Sequence, residues 1–182
     1  FSKNSLDYRV TPKDSIDKSG LMFSDQGAWF AYSMPDSASN VLGFTGPFLL
    51  TQQNGIWSSQ SLAQLSLKGE NNTNIINWNS SLQSQHSYSS HLEQVFKNKH
   101  LFVKQELVYA SGHTALQKTT ITNISSKGVT LHPSVSGQLF DIDITISSKN
   151  ETILLSSKKS KAKGYLKFLK ESVSILTTDN YY

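Results

Sequence analysis

Residues 101–109, Leu-Phe-Val-Lys-Gln-Glu-Leu-Val-Tyr, constrain the fold more than any other stretch. On an extended chain Leu101, Val103, Leu107 and Tyr109 fall on one face. Lys104 and Glu106 fall on the other, interspersed with Phe102 and Val108. Such period-two alternation marks a half-buried strand of an antiparallel sheet. Ile153 with Leu155, and Val173 with Ile175, repeat the pattern in 151–157 and 172–177. Further strand-like segments occupy 28–33, 46–51, 55–59, 62–68, 74–79, 84–96, 100–110, 114–124, 128–139 and 163–169. Turn signals separate them: Gln53-Asn54-Gly55, 68–72, Ala110-Ser111-Gly112, 125–128 and Ser148-Lys149-Asn150. No window carries a 3.6-residue apolar stripe, and the best helix candidate, 158–163, is weak. Many short strands at such spacing predict an all-β sandwich or barrel.

The 182 residues suffice for one domain with a real core, which must hold without disulfides because Cys is absent. A disulfide-built mini-protein is excluded. The formal charge is +4, from 17 basic and 13 acidic residues. The excess sits late, in Lys158, Lys159, Lys161, Lys163, Lys167 and Lys170, interleaved with Ser, Ala and Gly across an expected hairpin turn. Arg occurs only at Arg9. A solvated turn accounts for these lysines better than a nucleic-acid stripe does. No apolar run is long enough to span a bilayer as a helix. The start at Phe1-Ser2-Lys3 reads as that of a processed or trimmed chain, with a periplasmic or secreted setting expected.

Chemistry-bearing motifs are sparse. There is no Gly-x-Ser-x-Gly, phosphate-cradling loop or His-Glu-x-x-His. His86, His91, His100, His113 and His132 show no metal-ligand spacing. His86 and His91 share one strand candidate and point to opposite faces. Asp141 and Asp143 lie on one face of an extended segment, about 7 Å apart, where solvated acids are commoner than a calcium or acid–base pair. Sequons at Asn71, Asn79, Asn123 and Asn150 are about as many as this composition gives by chance. In 28–33, Trp29 shares a face with Ser33 while Phe30 shares the other with Tyr32. Aromatics on both faces suit either ordinary core or sugar stacking. Gly43-Phe44-Thr45-Gly46-Pro47 reads as a turn holding an aromatic.

At these residues the sequence resembles a known family. Asp25-x-Gly27-Ala28-Trp29, then Met34-Pro35-Asp36, then Gly43-Phe44-Thr45-Gly46-Pro47-Phe48-Leu49-Leu50-Thr51 are similar, in order, to the N-terminal domain of bacterial glycoside hydrolase family 63, relatives of processing α-glucosidase I. Ala115–Asn123, Val129-Thr130-Leu131 and Ser136-Gly137-Gln138-Leu139 match the family's paired central strands. Gly164–Phe168 and Ile175–Thr178 fit its tail. The chain departs at Thr45, where the family usually has Pro, and at Phe30 and Tyr32, where polar or His residues are common.

The resemblance implies an antiparallel supersandwich like that of galactose mutarotase, with room for last strands beyond this chain. Residues 1–22, polar and charged with little periodicity, read as an extended arm or loop, and the resemblance implies the sandwich over 23–182 and a downstream (α/α)6 catalytic domain that carries the acid and base and inverts the anomeric centre. The expected role is non-catalytic: packing on and supporting that domain. Candidate interface or sugar-rim residues are Asp25, Trp29, Tyr32 and Phe44. No catalytic residue, metal or cofactor is expected in this chain, and the expected partners are the catalytic domain and an oligosaccharide. A free-standing carbohydrate-binding module is the alternative. A sandwich-type epimerase or mutarotase would need His132 to meet Asp141 or Asp143.

Overall fold

The computed structural model describes residues 6–25, 27–36, 39, 41–50, 54–140, 142–169, 174–178 and 180–182. Strands dominate them, as the alternation predicts. In chain order they are β1 (Phe30–Ser33), β2 (Thr45–Leu49), β3 (Ile56–Trp57) and β4 (Gln64–Lys68). A single helical turn, α1 (Trp78–Ser81), precedes β5 (Leu82–Ser87), β6 (His91–Lys97), β7 (Leu101–Ser111) and β8 (Thr114–Asn123). Then come β9 (His132–Ser136), β10 (Ile144–Lys149), β11 (Thr152–Ser157) and β12 (Lys163–Lys167). Their sheets run β1-β2-β3, β4-β9, β5-β6-β7-β8 and β10-β11-β12, every pairing antiparallel.

The four-stranded sheet supplies one layer of a β-sandwich. Its inner face carries Leu92 and Phe96 from β6 and Leu101, Val103, Leu107 and Tyr109 from β7, all buried. At one end Leu65 and Leu67 of β4 pack on Phe96, Leu101 and Val103. At the other, Phe23, Met34 and Phe44 pack on Leu92, Leu107 and Tyr109. The second layer is therefore assembled from β4 and the segments flanking β1 and β2. Smaller clusters join Ala31, Phe48 and Trp57 to Val10, and Leu62 and Leu139 to Ile146 and Ile153. Val10 also gives its N–H to the Met34 carbonyl at 2.9 Å, and the Trp57 indole N–H reaches the Asp17 carbonyl at 2.8 Å. Within 6–22 the chain is thus tied to the sandwich by backbone and side chain alike.

Polar groups cross the core as well. Gln85, Gln94, Gln105 and Thr119 are cross-strand partners in one row over β5, β6, β7 and β8. Their side chains are joined at 3.3 Å each, and Gln94 Nε2 also donates to the Gly43 carbonyl at 2.7 Å. Gln94 and Gln105 are fully buried, so these bonds remove most of the cost of dehydrating the amides.

Several local expectations are corrected. The segment 84–96 is two strands, turned at Tyr88-Ser89-Ser90, where the Tyr88 N–H bonds the His91 carbonyl at 2.8 Å. The segment 74–79 is not a strand. Asn77 caps α1 there, its side chain accepting from the Ser80 N–H at 3.3 Å. Residues 158–162 form the β11–β12 turn rather than a helix, with Ser157 Oγ accepting from the N–H groups of Lys159 and Ser160. β10 was not expected. Of 172–177, residues 172 and 173 lie outside those described, and 174–177 form no strand. The Gly43–Pro47 stretch is a strand entry, since β2 already starts at Thr45. Gly46 sits there at φ +118, a conformation that costs a side chain dearly.

Candidate functional site

The Asp25-x-Gly27-Ala28-Trp29 motif is a reverse turn that lifts an indole out of the sandwich. The Ala28 N–H closes it on the Asp25 carbonyl at 3.0 Å, and Gly27 supplies φ +78. Trp29 then gives its N–H to the Gly112 carbonyl and accepts from the Leu50 N–H, both at 3.0 Å. Gly112, at the β7–β8 hairpin tip, lies so close that a Cβ there would stand 2.7 Å from the Gly27 oxygen. β1 begins one residue later, at Phe30. Trp29 therefore leaves the strand and is 53% exposed, which removes the ordinary-core reading for it. Its ring lies over that of His113, with centroids 5.3 Å apart and planes at 33°.

The four candidate residues do not converge on one surface. Asp25 and Trp29 share the exposed loop. Tyr32 is partly buried and meets Phe30 edge-on at 5.9 Å. Burial pushes its phenol above the ordinary tyrosine range. Phe44 is 1% exposed, in the core beneath the loop. Tyr109, read from sequence only as an apolar strand position, fastens this corner. Its hydroxyl stands 3.1 Å from the Phe23 carbonyl and 3.0 Å from that of Phe30, donating to one or the other. Burial first, then the charges of Tyr32 and Asp25, pushes that phenol upward, so it stays a protonated donor.

The outward face of the large sheet carries a second cluster. His86 and His91 lie on different strands, β5 and β6, not on one strand as expected. Register places Glu93 beside His86 and opposite Glu106. His91, Glu93 and Glu106 then offer ligand atoms within 4.8 Å of one another. Lys104 Nζ stands 2.9 Å from each carboxylate and supplies the compensating charge. Its hydrogen bonds to Glu106 and Glu93 raise the ammonium above its ordinary value, and the Lys104 bond lowers Glu106. The donor set is metal-like, but the lysine makes it an ion-paired network. Spacing along the chain gave no signal of it, because only cross-strand register joins these residues.

The remaining acids and bases stay apart. Asp141 lies outside the described residues. Asp143 is exposed and held by Lys159 at 2.5 Å. His132 is exposed at the start of β9, opposite Lys68. Among the described residues no His–carboxylate pair of the kind an epimerase needs joins His132 to Asp143, and no helix is long and apolar enough to cross a membrane.

The family model described as glucosidase YgjK, N-terminal, matches residues 13–173. No curated protein matches the sequence.

Proposed function

We propose, from the premise that this chain belongs to the glucosidase YgjK N-terminal domain family, that it is the non-catalytic sandwich of a family-63-like glycoside hydrolase. In this reading it packs on the catalytic domain and supports it. The observation that carries the reading is Trp29, an exposed indole fixed by backbone hydrogen bonds on both sides and braced by His113. Interface anchors are typically rigid aromatics, because they bury much area with little side-chain freedom to lose. Asp25 borders this anchor on the same loop, while Tyr32 and Phe44 belong to the hydrophobic cluster against which Ala28 of that loop packs. The (α/α)6 architecture of the partner, inversion of the anomeric centre and export of the enzyme belong to the same proposal.

The test is association of this chain with the separately produced catalytic domain of its parent enzyme, followed by calorimetry. Trp29→Ala should weaken association at least tenfold while leaving the melting temperature of this chain within a few degrees. Undiminished association of a folded Trp29→Ala chain would remove Trp29 as the anchor. Absence of any association with the wild-type chain would remove the supporting role.

A further inference from the structure

Away from the Trp29 loop, an open groove of about 480 Å³ runs between the β4–β9 sheet and residues 74–78. Clefts that hold small molecules span roughly 300–1,000 Å³. Gln64 and Ser66 line one wall from β4, with Ser136 opposite Gln64 in β9. Asn74, Asn77 and Trp78 line the other. The floor is apolar, made by Leu42, Leu65 and Ile76, all buried.

Two features of this lining select a ligand. The first is that among the described residues no charged side chain lines the groove. An ionic ligand would lose hydration there without gaining a counter-charge. The second is the density of amides, each offering donors and an acceptor. Two of them are fixed in place. Asn77 Oδ1 caps α1, and Asn74 accepts from Ser66 Oγ at 3.4 Å in a segment bridged to Lys68. Among the described residues the Nδ2 groups of both, and the whole Gln64 amide, have no protein partner. A purely apolar ligand would dehydrate these groups without compensation. Trp78 supplies the remaining element, an indole braced edge-on by Phe96 at 5.3 Å.

A neutral ring compound rich in hydroxyls meets both demands, its C–H face on the indole and its hydroxyls on the amides. We infer that this groove is a binding subsite for a neutral oligosaccharide. With no carboxylate in the lining it holds sugar without cleaving it. The subsite is built from elements other than those that carry Trp29, so it stands or falls independently of the docking reading.

The experiment is calorimetric titration of the full chain, free of any tag, with maltotetraose, isomaltotetraose and cellotetraose, and with tetragalacturonate as the anionic probe. Saturable binding of at least one neutral tetrasaccharide is expected, with tetragalacturonate at least tenfold weaker. Gln64→Ala and Asn74→Ala should each weaken the neutral sugar at least fivefold, and Trp78→Phe should weaken it without unfolding the chain. Trp29→Ala should leave the titration unchanged. Flat titrations with all three neutral sugars would overturn the inference. So would binding that survives Gln64→Ala and Asn74→Ala in chains of unchanged melting temperature, or equal binding of the anionic probe.

Discussion

The indole of Trp29 lies over the imidazole of His113 at 5.3 Å, while the backbone of the same tryptophan is bonded to the neighbouring Gly112. One hairpin tip therefore holds both the chain and the ring of the exposed residue. Because half the indole is already in water, Trp29→Ala should cost the isolated chain less than about 1.5 kcal/mol, well short of the 3–5 kcal/mol of a buried tryptophan. Urea denaturation of the variant checks this.

Phe44→Ala should behave in the opposite way. The ring is 1% exposed among Phe23, Met34, Leu92, Leu107 and Tyr109. Its loss leaves a cavity and should cost about 3–5 kcal/mol in urea denaturation. The contrast between two aromatics in the same motif region separates anchoring from packing.

Gly112→Ala should disturb the loop without touching the core. The added methyl would press on the Gly27 carbonyl, and the hairpin tip must retreat. The expected outcome is a loss of about 1–2 kcal/mol and a changed fluorescence of Trp29. The fluorescence change should vanish when Trp29→Phe is introduced in the same chain.

Tyr109→Phe removes the hydroxyl shared between the Phe23 and Phe30 carbonyls. The Phe23 oxygen keeps its bond from the Tyr32 N–H at 3.0 Å, so the loss is limited to about 1–2 kcal/mol. Denaturation should show it, with greater hydrogen-exchange rates at Ala28 and Trp29.

The Lys104 network predicts opposite pH limbs. Glu106 titrates below its ordinary value in the folded chain, chiefly through its hydrogen bond to Lys104. Its stabilisation is complete above the unfolded value of about pH 4.5 and is lost as pH falls through the lower folded value. Lys104 titrates above its ordinary value, chiefly through Glu106, so its contribution is complete below about pH 10.5 and is lost as pH rises through the higher folded value. Lys104→Met should flatten both limbs in pH-dependent melting curves, at a cost of less than about 1 kcal/mol at neutral pH.

Legibility from sequence followed locality. The alternation of Leu101 to Tyr109 is a property of neighbouring residues, and the buried face of β7 follows it. The turn inside 84–96 was missed because Tyr88-Ser89-Ser90 carries no Gly, Pro, Asn or Asp, and Ser recurs along the strands of this chain as well as in its turns. β10 was missed although Ile142, Ile144 and Ile146 alternate, because Asp141 and Asp143 beside them read as the solvated acids of an extended edge. The triplet Ile75, Ile76 and Trp78 imitates a strand, and only the cap at Asn77 discloses the helical turn. The exposure of Trp29 depends on a hairpin tip far along the chain, as the cluster around Lys104 depends on β6–β7 register. The groove lined by Gln64, Ser66 and Ser136 requires β4 to meet β9. None of these can be read from spacing.

The glutamine row inside the large sheet has a consequence for how the strands find their places. A shift of β6 against β7 by two residues would still turn the apolar side of each inward and so satisfy the hydrophobic pattern. It would also set Gln94 or Gln105 against a leucine, valine or phenylalanine and leave a buried amide with nothing to bond. The amides therefore act as a combination lock between β6 and β7, with one alignment that opens. That alignment also sets Lys104 between Glu93 and Glu106 on the opposite face, so the code on the inside is what writes the charge pattern on the outside.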